Sequence, residues 1–160
     1  MREILFRGKH KNGFWCYGNL NINSQGVTII TPDETALGKH GAVIPETVGQ
    51  YTGLTDRNGK KIFEGDIVRV HQFLFDGNEY ENEITISIEY MSDCTCFGAN
   101  IIYGRKIKHY MGYTGEKVVI PLCDLYGLHE ESFEVIGNIH DNPELLESED
   151  WTNERSKILS

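Results

Sequence analysis

The chain has 160 residues, of which 39% are hydrophobic and 24% are charged. This balance is typical of one globular domain and excludes a disordered or fibrous protein. No apolar run approaches the roughly 20 residues that a membrane-spanning helix needs, and the alternating charges of Met1-Arg2-Glu3-Ile4 are unlike a signal peptide. We therefore expect a soluble cytoplasmic protein, without membrane contact.

The negative charge is concentrated near the C-terminus. The whole chain carries 24 acidic and 15 basic residues, for a net charge of -9. Residues 118–154 contain ten of the acids and no Lys or Arg, whereas residues 1–117 contain 14 acids and 13 bases. This asymmetry is typical of a solvated tail or of a surface for a basic partner, and it disfavours nucleic acid, since phosphate binding depends on Lys and Arg.

The four cysteines are Cys16, Cys94, Cys96 and Cys123. Together with His109, the last three could supply the four soft ligands of a zinc site. Strong zinc signatures repeat a spaced pair of ligands, and the Cys94–Cys96 pair has no counterpart here. We therefore expect reduced thiols in a cytoplasm, with no metal and no cofactor. Whether the four side chains come together is left open by the sequence.

Most of the hydrophobic pattern is that of β-strands. Ile4 and Phe6 alternate with charged residues, Asn12-Gly13 is a hairpin signal, and Phe14-Trp15-Cys16-Tyr17 is rich in aromatic residues. A second turn at residues 23–26 precedes the β-branched run 27–31. These segments predict a three-stranded meander.

The middle and the end of the chain predict further strands. Asn58-Gly59 indicates a hairpin, and Glu64-Gly65-Asp66 leads into an apolar strand at residues 67–70, an order that is common in small SH3-like barrels. Residues 84–90 alternate strictly between apolar and polar, and residues 118–122 and 133–139 are also strand-like. Asp141 or Asn142 followed by Pro143 predicts one short C-terminal helix.

Three carboxylates are close in sequence, namely Asp56, Glu64 and Asp66. Such a group can hold Mg²⁺ or perform general acid–base chemistry. The opposing interpretation is that Asp56 and Asp66 stabilise turns by accepting hydrogen bonds from nearby backbone amides, which we favour because a glycine lies close to each. By the same reasoning Gly137-Asn138 indicates a strand bulge and not a phosphate-binding loop.

Several segments resemble the YopX family in the family's order. They are the opening Met1-Arg2-Glu3-Ile4-Leu5-Phe6-Arg7, the middle Tyr51-Thr52-Gly53-Leu54 with Asp56, Asn58-Gly59, Ile62 and Glu64-Gly65-Asp66-Ile67-Val68, and the closing Ile136-Gly137-Asn138-Ile139 with Asn142-Pro143-Glu144-Leu145-Leu146. The resemblance implies a small phage- or prophage-encoded accessory protein. It supplies no catalytic, cofactor-binding or metal-binding residues. The stretch from about Cys94 to Gly115 looks expanded relative to the family pattern.

We therefore predict a mainly β, YopX-like domain over residues 1–147, with residues 1–48 and 49–147 as candidate subdomains and residues 148–160 as an acidic tail. Our leading hypothesis is a non-enzymatic protein that binds a protein partner or assembles with itself, because short strands with open edges and many tyrosines suit such contacts. Two alternatives stay open. One is nucleic-acid binding through an SH3-like barrel, using a basic patch at Arg105, Lys106 and Lys108 or at Arg2, Arg7, Lys9 and Lys11. The other is a metal-dependent hydrolase built on Glu64 and Asp66.

Overall fold

The computed structural model describes residues 1–32, 40–73, 81–103, 119–125 and 132–147, with the side chains of residues 72, 73, 81–83 and 103 left aside. These residues form two antiparallel sheets and a few turns of 3-10 helix, which confirms the mainly β prediction. The strands are β1 (Phe6–Lys9), β2 (Trp15–Ile22), β3 (Thr28–Thr31), β4 (Gly41–Ala42), β5 (Gly49–Thr55), β6 (Lys61–Phe63), β7 (Asp66–Phe73), β8 (Glu81–Met91), β9 (Cys96–Tyr103), β10 (Val119–Pro121) and β11 (Phe133–Asn138).

The first sheet has the order β4-β3-β2-β1-β5-β6. The predicted meander is confirmed, since β1 pairs with β2 and β2 with β3. Its two turns form as the residue types require: Gly13 and Gly26 have positive φ, and the Asn23 side chain accepts hydrogen bonds from the amides of Gln25 and Val27. The end of β4 returns to β1 through a bridge between Val43 and His10. A small core of Cys16, Ile30 and Val43 lies on this side of the sheet.

The second sheet has the order β10-β9-β8-β7-β11 and contains the main core. The strict alternation at residues 84–90 produces β8, whose Ile84, Ile86 and Ile88 are fully buried against β7 and β9. Thr85 and Ser87, on the other face of the same strand, are buried as well. The alternating pattern predicts a half-buried strand. In the structure, residues 84–88 are instead buried on both faces of the sheet.

Two finer predictions differ from the structure. The described residues form two sheets without a closed SH3-like barrel, because β5 and β6 pair within the first sheet while β7 begins the second. The predicted C-terminal helix is a single 3-10 turn, Pro143–Leu146. Its neighbours do not cap it: Asp141 contacts Lys9 and Trp15, and the side-chain oxygen of Asn142 accepts a hydrogen bond from the Asn138 backbone amide. No helix in the described part of the chain is long and apolar enough to cross a membrane.

Asp56 covers the outer edge of β11. Its side chain accepts hydrogen bonds from the amides of Asn58 (2.8 Å) and Lys60 (2.9 Å) in its own hairpin turn, and from the amide of Val135 (3.1 Å) in β11. Next to it, the Arg57 amide donates to the Phe133 carbonyl. The predicted turn role of Asp56 is thus confirmed, and the turn also satisfies two backbone groups that an edge strand would otherwise expose.

We predict that Asp56→Ala lowers the free energy of unfolding by about 3 kcal/mol, because it removes one charged acceptor from three amides in a buried position. Urea unfolding measures the loss, and hydrogen exchange should show reduced protection of the Val135 amide. Asp93→Ala, in the exposed turn between β8 and β9, is the matched control and should change stability by less than about 0.5 kcal/mol. Equal effects of the two substitutions would contradict this role for Asp56.

Candidate functional site

The two sheets meet at the turn between β6 and β7. Gly65 sits in this turn with a φ of 85°, a conformation that strains any residue with a side chain. Its amide donates to the Ile88 carbonyl in β8, and its carbonyl accepts from the Ile139 amide after β11. The predicted turn at Glu64-Gly65-Asp66 is therefore the point at which the chain passes from one sheet into the other.

A buried ion pair crosses this junction. Arg7 of β1 contacts Asp66, the first residue of β7, with 2.6 Å between Nη1 and Oδ1, and the two side chains are 5% and 1% exposed. The other oxygen of Asp66 accepts a hydrogen bond from the Phe63 amide (2.8 Å), and Nη2 of Arg7 donates to the Glu64 carbonyl (3.2 Å). Asp66 thus accepts a hydrogen bond within its own turn and also neutralises a cation from the opposite sheet.

Close backbone packing supports the same contact. A Cβ atom at Gly49, the first residue of β5, would lie 2.4 Å from the Glu64 carbonyl oxygen. Only glycine allows that approach without a backbone shift. The Glu64 carbonyl is also the acceptor for Arg7, so the glycine at position 49 helps to fix the acceptor that Arg7 needs.

Aromatic rings enclose the Arg7 guanidinium. Its Cζ lies 4.8 Å from the centroid of the Trp15 ring and 5.1 Å from that of Phe63, both within the range of cation–π attraction. The Tyr17 ring packs edge-on against the Phe63 ring, and the Tyr17 side chain is partly exposed to solvent. Burial raises the pKa of the Tyr17 phenol above 10.0, with Arg7 acting in the opposite direction.

The segment after β11 closes the cluster from the other side. Asp141 accepts hydrogen bonds from the Trp15 indole (2.7 Å) and from the Asn138 side chain (3.1 Å), and it pairs with Lys9 of β1. The His140 ring lies 5.9 Å from the Trp15 ring. We call this set the junction cluster: Arg7, Lys9, Trp15, Tyr17, Asp66, Asn138, His140 and Asp141.

Three pKa shifts reflect the electrostatics of the junction cluster. Burial raises the pKa of Asp66 above 3.8, against the opposing effects of Arg7 and the Phe63 amide. Burial and the nearby Arg7 charge lower the pKa of His140 below 6.5, so this imidazole is neutral at physiological pH. The hydrogen bond from Lys9 lowers the pKa of Asp141 to about 2, with help from Asn138 and Trp15.

The chemistry of the cluster is that of a closed network. Arg7 neutralises Asp66, Lys9 neutralises Asp141, and the neutral His140 and the partly exposed Tyr17 can each exchange single hydrogen bonds with solvent or with a ligand. Its charges are directed at one another across the two sheets. The cluster's main effect is therefore to fix how the sheets are joined.

Two of the three carboxylates considered from the sequence have separate partners. Asp66 pairs with Arg7, and Asp56 binds three amides in another turn. In the described ranges, no group of three or more His, Cys, Asp or Glu side chains is placed to hold a metal ion. The bulge predicted at Gly137-Asn138 is confirmed by a register shift between Val135 and Gly137.

The two basic patches have different outcomes. Arg105, Lys106 and Lys108 lie outside the described residues. In the N-terminal group, Arg7 is buried and Lys9 pairs with Asp141, so the expected exposed patch of four is wrong for Arg7. The sequence could not reveal this, because side chains of a strand alternate between its two faces and the pattern around Arg7 does not say which face is buried.

Three cysteines lie near one another at the far end of the second sheet. Cys94 and Cys123 are exposed, Cys96 is partly buried, and the thiols of Cys94 and Cys123 act electrostatically on that of Cys96. Cys96 and Cys123 line one mainly apolar cavity of about 280 Å³. The fourth residue of the hypothetical zinc set, His109, lies outside the described residues.

Sequence analysis missed the junction cluster as a unit. It grouped Asp66 with the other carboxylates and Arg7 with a basic patch, without pairing the two, and it assigned Asp141 to a helix cap. Trp15 belonged to a predicted strand, and His140 was given no role. The available signal was the resemblance itself, because three of its segments, residues 1–7, 62–68 and 136–146, supply most of the contacts at the junction.

We predict strong coupling between Arg7 and Asp66. Arg7→Met or Asp66→Asn alone should lower the free energy of unfolding by about 3–5 kcal/mol, because each leaves a buried group without its charged partner. The double variant should cost at least about 1.5 kcal/mol less than the sum of the two, since neither charge then remains. Chemical denaturation of the unsubstituted protein, the two single variants and the double variant measures the four free energies of this double-mutant cycle.

The control is the exposed pair of Lys61 and Glu3, whose side chains are 38% and 48% exposed. Lys61→Met and Glu3→Gln should each change stability by less than about 1 kcal/mol, with little coupling. If the costs of Arg7→Met and Asp66→Asn simply add, the ion pair does not join the sheets as described.

Asp141 should make stability depend on acid pH. Its folded-state pKa of about 2 lies below the unfolded value near 3.8, so the unfolded chain takes up the proton first and stability falls as pH falls through this window. Because the side chain is about one-third exposed, we expect Asp141→Asn to cost no more than about 1 kcal/mol at pH 7. This difference from the unsubstituted protein should be constant above about pH 5, shrink as the pH falls toward 2, and vanish only below the folded-state pKa. Denaturation at several pH values measures it, with Asp93→Asn as the control; a difference that does not shrink between pH 5 and pH 2 would contradict the assignment.

The family assignment follows from comparison with known proteins. The crystal structure of protein EF1440 from Enterococcus faecalis is 23% identical over 92% of this chain and 100% of that chain, with a TM-score of 0.48. No curated protein matches the sequence. The model of the family described as YopX protein matches residues 5–147, which include every residue of the junction cluster. The chain therefore belongs to the YopX family.

Proposed function

We propose that the protein is a phage or prophage accessory protein that acts without catalysing a reaction, by binding proteins and in the first place a second copy of itself. The observation that carries the proposal is an exposed apolar patch at the end of the β2–β3 hairpin. Ile22, Val27 and Ile44 are 64%, 38% and 40% exposed there. We call these three residues the hairpin-end patch.

The register of the first sheet places the three residues at one end of the sheet. Ile22 pairs with Thr28, and the Thr28 carbonyl accepts a hydrogen bond from the Val43 amide. Val27 directly precedes Thr28, and Ile44 directly follows Val43. The three apolar side chains therefore belong to adjacent segments at one end of the sheet.

The surroundings of the patch have the composition of an interface centre. No charged residue occurs between Lys11 and Asp33, so the whole of β2 and β3 is uncharged. Polar Asn21, Ser24 and Gln25 of the same hairpin are exposed. Depletion of charge at the centre with a polar rim distinguishes protein interfaces from other surface.

Side-chain contact suits this molecule better than strand addition at an open edge. Among the described strands, β4, β6 and β10 at the sheet edges have only two or three residues. The fourth edge, β11, gives its Val135 amide to Asp56 and its Phe133 carbonyl to Arg57. A partner that reads side chains does not need these backbone groups.

The test is light scattering on the purified chain over a hundredfold range of concentration. We expect the mass to rise from that of a monomer toward that of a dimer, and the rise to persist or increase at high salt, because salt screens the repulsion between two copies of net charge -9 without weakening apolar contact. Ile22→Asp and Ile44→Asp should each abolish the rise.

Leu146→Asp is the matched control, since Leu146 is an equally exposed apolar residue outside the patch. It should associate like the unsubstituted chain. A monomer at every concentration, or association that survives Ile22→Asp, would overturn self-assembly through the hairpin-end patch. Association that is lost on adding salt would indicate an electrostatic contact elsewhere.

A further inference from the structure

The cysteines at the end of the second sheet occupy different structural elements. Cys94 lies in the turn between β8 and β9, Cys96 is the first residue of β9, and Cys123 lies in the 3-10 turn Leu122–Asp124 that follows β10. All are free thiols in this structure. Neither the junction cluster nor the hairpin-end patch includes any of them.

Strand register brings Cys96 and Cys123 opposite each other. β10 pairs antiparallel with β9 through Val119–Asn100, Ile120–Ala99 and Pro121–Gly98. Continuing this register by two residues places position 123 beside position 96. The 3-10 turn packs against β9 at this point, so the two cysteines remain neighbours after regular pairing ends.

Cys96 and Cys123 line the same cavity. It has a volume of about 280 Å³ and is lined by Thr52, Leu54, Cys96, Phe97, Leu122 and Cys123. The lining contributes two thiols and otherwise almost no polar surface. Both thiols therefore border one mainly apolar space.

The backbone between Cys94 and Cys96 is strained. Thr95 has a φ of 52°, the only positive value of a residue other than glycine in the described ranges. A β-branched residue is rare in this region and costs conformational energy. Thr95 is the last residue of the turn, and β9 begins directly after it at Cys96, so Cys96 lies on the strand that pairs with β10 and Cys94 does not.

We propose that Cys96 and Cys123 form a reversible intramolecular disulfide, with a peroxide as the oxidant. The exposed Cys123 thiolate attacks one peroxide oxygen, the O–O bond breaks, and a sulfenic acid and one water form. The Cys96 thiolate then attacks the sulfenic sulfur, the S–O bond breaks, an S–S bond forms, and a second water leaves. Two thiols are oxidised, and one peroxide is reduced to two waters.

The environments of the two cysteines suit this order. Cys123 is exposed and open to the oxidant, whereas Cys96 is partly buried. Burial and the neighbouring Cys94 and Cys123 raise the pKa of the Cys96 thiol above 9.0, which keeps it protonated and less reactive toward free peroxide. Cys96 therefore acts as the second thiol, which meets an electrophile already formed beside it.

The consequence of oxidation is a covalent link across residues 96–123. Reduced, the 3-10 turn is held to β9 by packing and by the short β10 pairing alone. Oxidised, the loop between the two cysteines is closed, which lowers the entropy of the unfolded chain. We expect the melting temperature to rise by roughly 5–10 °C.

The experiment treats the full chain with an equimolar amount of hydrogen peroxide and measures intact mass, free thiols and a non-reducing peptide map. We expect a loss of two hydrogen atoms, two of the four thiols blocked, and one peptide pair joining Cys96 to Cys123. Dithiothreitol should restore the original mass and melting temperature. Cys94→Ser and Cys16→Ser should still form the link, and Cys96→Ser or Cys123→Ser should not.

Other products would overturn the proposal. A link from Cys94 to either neighbour, a disulfide between two chains, or oxidation beyond the sulfenic state without any link would each show that the thiols of residues 96 and 123 do not meet. A Cys96–Cys123 link that leaves the melting temperature unchanged would overturn the stabilising consequence. Since Cys123 is exposed, Cys123→Ser should fold normally and serves as the variant that separates a failure to react from a failure to fold.

Discussion

The ion pair between Arg7 and Asp66 is the contact on which the arrangement of this fold depends. It joins the first strand of one sheet to the first strand of the other, and both side chains are almost fully removed from water. A buried ion pair contributes little net stability, because desolvation of the two charges offsets their attraction. The ion pair instead disfavours other arrangements, because any packing of the sheets that separates the two charges leaves one of them buried without a partner. The pair therefore acts mainly on which arrangement forms.

The family signature is best understood in the same terms. Its segments supply Arg7, Gly65, Asp66 and the Asn138 region, and each of these makes a contact at the junction of the sheets. Asp56, another signature residue, covers the edge of β11. The polar residues of a family signature can thus be those that hold the parts of a fold together and not those of a reaction centre. Exposed parts of the molecule that the signature does not touch, such as the hairpin-end patch, are then the natural place for function.

Local features of the fold could be predicted from the sequence, and long-range ones could not. Asn-Gly turns and strict apolar alternation are decided by neighbouring residues, so the meander, the hairpin at Asn58-Gly59 and β8 were predicted correctly. The C-terminal helix was not, because Asp141 is drawn to Lys9 and Trp15, more than a hundred residues away. The same holds for the candidate site. Asp66 was recognised, but its partner lies 59 positions earlier, and the alternation of a short strand does not say which face is buried.

Charge and thiols also differ in what a sequence can reveal. Net charge is a sum, and its uneven distribution already separates an acidic C-terminal quarter from a nearly neutral body. The uncharged stretch at residues 12–32 was equally visible, but only the structure reveals that Ile22 and Ile44 are exposed, which is the basis of the proposed interface. The cysteines needed still more, since Cys94 and Cys96 are the close pair in sequence whereas the register of β10 on β9, continued by two residues, brings position 123 beside Cys96. Proximity along the chain misidentifies the partner because a β-sheet brings together residues from separate strands, and the register of those strands decides which residues meet.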